Sequence, residues 1–76
     1  MPDVTDRERI AAEVRAELGR QNKTQRQVAE QLGMTQQSLN LRLMGVRSFR
    51  AEEIAKLADV LGVPASQFLP AEAGAA

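Results

Sequence analysis

The sequence predicts an all-α domain, a compact bundle of five short helices. No stretch alternates apolar and polar residues as a strand would, and β-branched residues are few. Apolar residues instead recur three and four positions apart, which is the spacing of one helix face. Asparagine or glycine follows each of the first four such stretches, where a helix can end in the left-handed conformation.

The first helix is expected to run from about Thr5 or Asp6 to Arg20. Thr5 is a suitable N-cap, and acidic residues follow it at the positive end of the helix dipole. Asn22 is expected to end the helix in the left-handed conformation. Its buried stripe combines residues spaced by four with one small neighbour: Ile10, Val14, Leu18 and Ala11.

The second and third helices are predicted to be short and joined by a tight turn. Thr24 and Gln27 have the spacing of a capping box at the start of helix 2, and Gly33 stops that helix. Thr35 is expected to cap helix 3, and Gly45 to end it. The inward residues of this pair are predicted to be Val28, Ala29, Leu32, Leu39 and Leu43.

The fourth helix, from about Arg50 or Ala51 to Leu61, has the clearest amphipathic pattern. Adjacent acids at its start should stabilise the helix dipole, and adjacent helical positions do not converge on a substrate. Gly62 ends this helix, and Pro64 suits the first position of a fifth helix. Residues 1–69 are expected to form one domain, and residues 70–76 a flexible tail. The inward residues of helix 4 are predicted to be Ile54, Leu57, Ala58 and Leu61.

The composition narrows the function classes. The 76 residues include neither Cys nor His, so disulfides, thiolate metal sites and histidine chemistry are excluded. Catalysis by Asp, Glu or Lys stays possible, but no pattern in the sequence indicates it, and we expect no enzyme, no metal and no cofactor. No apolar run reaches the length of a membrane span, and the first residues are charged, which favours a cytoplasmic protein.

The net charge is zero, but the charges are unevenly distributed. Residues 20–50 contain six basic residues and one acidic residue, a local charge of +5, whereas residues 1–19 carry −2 and residues 51–76 carry −3. A local positive surface is what a phosphate backbone requires. The alternative is a solvated surface of mixed charge.

The spacing from Thr24 to Gly45 is that of a helix-turn-helix unit, in which the second helix presents its first turn to the DNA major groove. Ala29 supplies the small side chain where the helices cross, and Gly33 supplies the bend. Glutamine can bind adenine through two hydrogen bonds, worth about 1–3 kcal/mol of discrimination. The residues left outward are mostly short hydrogen-bonding side chains: Gln25, Thr35, Gln36, Gln37, Asn40 and Leu41.

The segment TQRQVAEQLGMTQQSL resembles the phage-repressor and Cro type of helix-turn-helix domain, the XRE family. EEIAKLADVLGVPASQFL resembles the family's fourth and fifth helices, so the resemblance covers about residues 7–69. RLMG followed by FRAEEI is similar to small actinobacterial and actinophage members. The resemblance implies a lambda-repressor-like fold and a sequence-specific regulator of transcription, a phage or prophage repressor or a Cro-like protein, in the nucleoid or the host cytoplasm.

The resemblance also implies roles for individual residues. Those expected to read bases are Gln36, Gln37, Asn40 and Leu41. Those expected to contact the DNA backbone by the resemblance are Gln25, Thr35 and Ser38. Apart from the resemblance, four basic residues are further candidates for backbone contact: Arg26, Arg42, Arg47 and Arg50. Because a single module buries only about 600–1,000 Å² on DNA, a homodimer is expected on a pseudo-palindromic double-stranded operator, with half-sites about 34 Å apart or a multiple of that. The dimer surface is expected to involve Val63, Phe68 and Leu69, unless these residues close the core.

Several alternatives stay open at this stage. Arg42 stands where the family usually has an apolar residue, so either its stem packs while its guanidinium reaches a phosphate, or helix 3 is rotated. The outward amides and the arginines after helix 3 could be ordinary solvated residues. The rival function is a protein-interaction module, such as an antitoxin or an accessory factor.

Overall fold

A computed structural model describes residues 6–69 of the chain. Four α-helices follow one another: α1 (Asp6–Arg20), α2 (Gln25–Leu32), α3 (Gln36–Leu43) and α4 (Ala51–Leu61). A single 3₁₀ turn over Ala65–Gln67 closes the described part, which contains no strand. The all-helical class predicted from the sequence is confirmed.

The prediction of a fifth α-helix is wrong. Only one turn forms after Pro64, with i to i+3 bonds from the Gln67 and Phe68 amides to the Pro64 and Ala65 carbonyls, both 3.0 Å. This is 3₁₀ bonding, which suits short connections. The turn suffices because it already delivers the Phe68 ring to the core, where it is 1% exposed.

The helix ends follow the sequence signals. Thr24 and Gln27 form the predicted capping box, with bonds of 2.9 and 3.1 Å between each side chain and the other's amide. The Thr35 hydroxyl accepts from the Ser38 amide at 3.0 Å and so caps α3. Asn22 has the predicted left-handed conformation, with φ of 56°. The predicted Thr5 cap and the 70–76 tail lie outside the described residues.

One hydrophobic core joins the four helices and the 3₁₀ turn. Nearly every residue predicted to face inward is buried there, and Ile10 and Met34 pack against it half-buried. Leu69 is not part of the core, since it is 44% exposed. The core residues are Val14, Leu18, Val28, Ala29, Leu32, Leu39, Leu43, Ile54, Leu57, Ala58, Leu61 and Phe68.

Hydrogen bonds from α1 and from Gln21, which follows it, hold the ends of α3 and α4. The Arg15 guanidinium donates to the Leu43 carbonyl, which satisfies a carbonyl at the end of α3 that has no partner within its own helix. Near the other end of α1, the Gln21 amide donates to the Leu61 carbonyl at 2.7 Å and so holds the end of α4. In residues 6–69, no helix is long and apolar enough to cross a membrane.

Candidate nucleic-acid interface

A tight turn at Gly33 joins α2 to α3. Gly33 adopts φ of 74°, in the left-handed region that favours glycine. The Met34 amide then donates to the Ala29 carbonyl at 3.0 Å, which closes the end of α2. At Thr35, two residues after Gly33, the backbone is extended, and α3 begins at Gln36. The tight turn predicted at Gly33 is therefore present, with Ala29 accepting the bond that closes α2 and Thr35 preceding α3.

The first turn of α3 carries the two glutamines at the surface. Thr35, Gln36 and Gln37 are all exposed, whereas Leu39 is fully buried and fixes which side of the helix faces the core. Thr35 serves as the N-cap, so its hydroxyl oxygen already accepts one hydrogen bond. Its hydroxyl hydrogen stays free to donate. The arrangement presents amide and hydroxyl groups outward on a rigid helix end.

Further along α3 the surface becomes partly apolar. Asn40 and Leu41 are half-buried, and the Asn40 amide donates to the Met44 sulfur at 3.3 Å. Met44 and Val46 are both exposed, although the sequence analysis gave neither a surface role. The four-residue spacing from Asn40 to Met44 places both on one side of the helix, and this spacing could have predicted that Met44 is exposed beside Asn40.

Arg42 is buried, and its guanidinium is turned into the protein. The residue is 8% exposed. Its Nε and Nη2 atoms donate to the two carboxylate oxygens of Glu53 at 3.0 and 3.2 Å. Its Nη1 atom donates to the carbonyl and the hydroxyl of Ser38 at 3.0 and 2.6 Å. The guanidinium therefore does not extend outward as predicted, because all three of its nitrogen atoms donate to partners inside the protein.

Glu53 is the partner that the sequence analysis missed. Burial alone would raise the pKa of its carboxyl group, but hydrogen bonds from the Arg50 backbone amide and the Arg42 guanidinium outweigh burial and lower the pKa. The carboxylate is therefore charged at neutral pH. The sequence does contain a signal for this pair. Arg42 occupies an apolar position of α3, and acidic residues stand at the start of the next helix.

The remaining candidates for DNA backbone contact lie before, within and after α3 in the chain. Arg26 is exposed and Gln25 half-buried at the start of α2. Arg47 and Arg50 are exposed in the segment between α3 and α4. Ser38 is half-buried, and its hydroxyl accepts from Arg42. We call the segment from Val46 to Arg50, which is exposed except for the half-buried Phe49, the basic loop.

The residues predicted for a dimer surface divide between core and surface. Phe68 is buried among core residues and closes the fold. Val63 is half-buried against the core, and Leu69 is exposed.

The described part of the chain encloses no pocket, and residues 6–69 hold no cluster of acidic side chains suited to a metal ion.

Known structures share this fold. The clp gene regulator ClgR from C. glutamicum is 21% identical, with a TM-score of 0.83 over 87% of this chain and 86% of that one. Another crystal structure of ClgR, from Corynebacterium glutamicum, is 22% identical, with a TM-score of 0.85 over 88% of this chain and 71% of that one. The hypothetical transcription factor NHTF from Neisseria is 25% identical, with a TM-score of 0.80 over 97% and 87% of the two chains.

A search of curated protein sequences found no match. The sequence profile of the helix-turn-helix family, in contrast, matches residues 14–68. This range contains the turn at Gly33, all of α2, α3 and α4, and the 3₁₀ turn. Because the profile spans more than half of the chain, the protein belongs to the helix-turn-helix family of the XRE type, whose members are DNA-binding transcription regulators.

Proposed function

We propose that this protein is a sequence-specific transcriptional repressor, of the phage-repressor or Cro type, that reads the major groove with α3. The observation that carries the proposal is the exposed first turn of α3, with Gln36 and Gln37 at the surface of the helix that the basic loop follows. Amides read base edges, and arginines bind the phosphates on either side. Neither role needs a cofactor or a catalytic group.

The readers of base edges divide by exposure. Gln36 and Gln37 are exposed and would make the first contacts with bases. Asn40 and Leu41 lie further along α3 and are half-buried, so they would contact bases only where the helix lies deep in the groove. Leu41 would then touch a thymine methyl group.

The backbone contacts are proposed to come from three parts of the chain. Gln25 and Arg26 lie at the start of α2, and the Thr35 and Ser38 hydroxyls lie at the start of α3. Arg47 and Arg50 lie in the basic loop that follows α3. We leave Arg42 out of this group because Glu53 and Ser38 already engage its guanidinium.

The protein is proposed to bind DNA as a homodimer. A single module of this size covers only about 600–1,000 Å² of DNA-facing surface, which limits its affinity. Two copies on a pseudo-palindromic operator, with half-sites about 34 Å apart, would combine their contacts. Leu69 and Val63 would lie at the contact between copies, and Phe68 would support them from the core.

Selection of bound duplexes from random DNA tests the proposal. The enriched sequences should share a motif, and its symmetry and spacing should report a dimer. A pool with no enriched motif would overturn sequence-specific binding. A motif without two-fold symmetry would leave the reading by α3 in place and overturn the dimer.

The second candidate is a protein-interaction module. Exposed Met44 and Val46 favour it, because neighbouring apolar side chains at a surface are common at protein interfaces. The two functions differ in their response to salt. DNA affinity falls steeply as salt rises because counterions are released from the phosphates, whereas binding through an apolar patch would change little.

A further inference from the structure

We propose that the Arg42–Glu53 ion pair is a positioning device for DNA reading, which locks the first turn of α3 and the end of the basic loop into one geometry. The inference rests on the proposed function, because it assigns the pair a role in base discrimination. Neither residue would touch DNA. Each would act through a neighbour: Arg42 through Ser38, and Glu53 through Arg50.

The first half of the device acts on the reading helix. Ser38 directly follows Gln37, and Arg42 donates to both its carbonyl and its hydroxyl, at 3.0 and 2.6 Å. The Ser38 amide, in turn, donates to the Thr35 hydroxyl at 3.0 Å. Ser38 is thus held from both sides, and the turn that carries Gln36 and Gln37 is fixed with it.

The second half of the device acts on the basic loop. One carboxylate oxygen of Glu53 accepts from the Arg42 Nε at 3.0 Å and also from the Arg50 backbone amide at 2.9 Å. Arg50 is the last residue of the loop, directly before α4. A single carboxylate therefore connects the reading helix to the point where the phosphate-facing loop ends.

Stability alone does not explain this pair. The Arg42 and Glu53 side chains are 9% and 18% exposed, so both charges lose hydration on folding. Buried ion pairs often contribute little net stability, and well-packed apolar side chains of similar size can replace them without loss. What the pair supplies is direction, because a guanidinium fork fixes the angle as well as the distance to its partners.

Base reading depends on such direction. A hydrogen bond to a base edge needs its donor and acceptor within about 2.7–3.2 Å, and recognition groups must be held to within about 0.5 Å. Electrostatic contacts with phosphates tolerate larger displacements. Loosening the pair should therefore reduce binding to the preferred sequence and leave binding to other sequences unchanged.

The test compares Arg42→Lys and Glu53→Gln with Glu52→Gln as the matched control. Lysine keeps the positive charge but loses the fork. Glu52 is the exposed neighbour of Glu53 on the same helix turn, so its substitution removes the same charge near DNA without touching Arg42. Affinity is measured for the duplex enriched from random DNA and for a scrambled duplex, at several salt concentrations.

We expect both variants to lose about 3- to 30-fold in affinity for the enriched duplex relative to the control. Affinity for the scrambled duplex, and the slope of affinity against salt, should match the control. The double variant Arg42→Met/Glu53→Met guards against misfolding, because it leaves no unpaired buried charge. It should stay folded by circular dichroism and lose the same preference.

Four outcomes would overturn the proposal. Equal losses on both duplexes in Arg42→Lys would make Arg42 a phosphate contact. A lower melting temperature with unchanged affinity at low temperature would make the pair purely structural. If the wild-type protein prefers no duplex at all, both the proposed function and this inference are wrong. If the wild type discriminates between the duplexes and the variants discriminate equally well, only the positioning role of the ion pair is wrong.

Discussion

The side-chain amide of Gln67 donates a hydrogen bond of 2.6 Å to the carboxylate of Glu17, across 50 positions of sequence. The same carboxylate accepts from Gln21 at 2.8 Å and from Arg20 at 2.7 and 3.0 Å. Glu17 is buried in spite of its charge. It ties the 3₁₀ turn to α1 beside Phe68, the last residue of the core.

Gln67→Ala should destabilise the fold by about 1 kcal/mol, because one charge-assisted hydrogen bond is lost while the other partners of Glu17 remain. For a domain of this size the melting temperature should fall by about 4–8 °C. Thermal unfolding followed by circular dichroism measures the change. Ser66→Ala, an exposed position of the same turn, is the control and should melt like the wild type. An equal shift in both variants would remove the special role of the Gln67 bond.

Stability should fall in acid. Hydrogen bonds from Gln21, Arg20 and Gln67 lower the pKa of Glu17 below its ordinary value of 4.5, and the pKa of Glu53 is lowered too. Carboxyl groups with a lowered folded-state pKa contribute stability that is fully present above the unfolded value. That stability is lost as the pH falls from about 5 through the folded values.

Melting temperatures measured from pH 7 to pH 3 check this expectation. The wild type should show a plateau followed by a decline in the acid range. Glu17→Gln should lower the plateau and flatten the decline, because one of the titrating groups is gone. Glu13→Gln, at an exposed position of the same helix, should keep the wild-type profile. A wild-type profile for Glu17→Gln as well would show that Glu17 does not drive the acid loss.

Gly45→Ala should destabilise the protein more than Gly33→Ala. Both glycines have positive φ, 78° and 74°, which costs a residue with a side chain about 1–2 kcal/mol. At Gly45 a new Cβ would also lie 3.2 Å from Cγ of Glu8, whereas at Gly33 the nearest atom is the Lys56 Nζ at 4.0 Å. The crowding should add about 1 kcal/mol at Gly45. Urea unfolding measures both losses, and equal values would show that Glu8 moves aside freely.

Gln37→Ala should weaken binding to the enriched duplex by about 1–3 kcal/mol and leave binding to a scrambled duplex unchanged. An amide that hydrogen-bonds a base edge contributes only where the matching base is present. Gln31→Ala, on the exposed side of α2, is the matched control and should bind like the wild type. Fluorescence anisotropy gives the affinities. Equal losses on both duplexes would argue against direct base reading by Gln37.

The local signals in the sequence were sufficient for most of the fold. Thr24 and Thr35 cap their helices, Asn22 adopts the left-handed conformation, and Gly33 makes the turn, all as expected. Each threonine cap joins a side chain to a backbone amide three residues away, and each left-handed position depends on the residue that occupies it. Such short-range relations can be recognised from spacing alone.

The long-range partners could not be predicted in this way. Arg42 and Glu53 lie 11 positions apart, and Glu17 and Gln67 lie 50 apart, so no periodicity relates them. Their pairing follows from how α1, α3, α4 and the 3₁₀ turn pack together. The exposure of Gln36 and Gln37 could be predicted because it depends on which side of α3 faces the core. The orientation of the Arg42 side chain could not, because it depends on Glu53 in another helix.

The most direct test of the central claim is the ratio of dissociation constants for the scrambled and the enriched duplex, measured with wild-type protein near physiological salt. If α3 reads base edges, the enriched duplex should bind about a thousandfold more tightly or better. Its affinity should also fall steeply as salt rises. A ratio near one, at any salt concentration, would contradict sequence-specific reading by this helix.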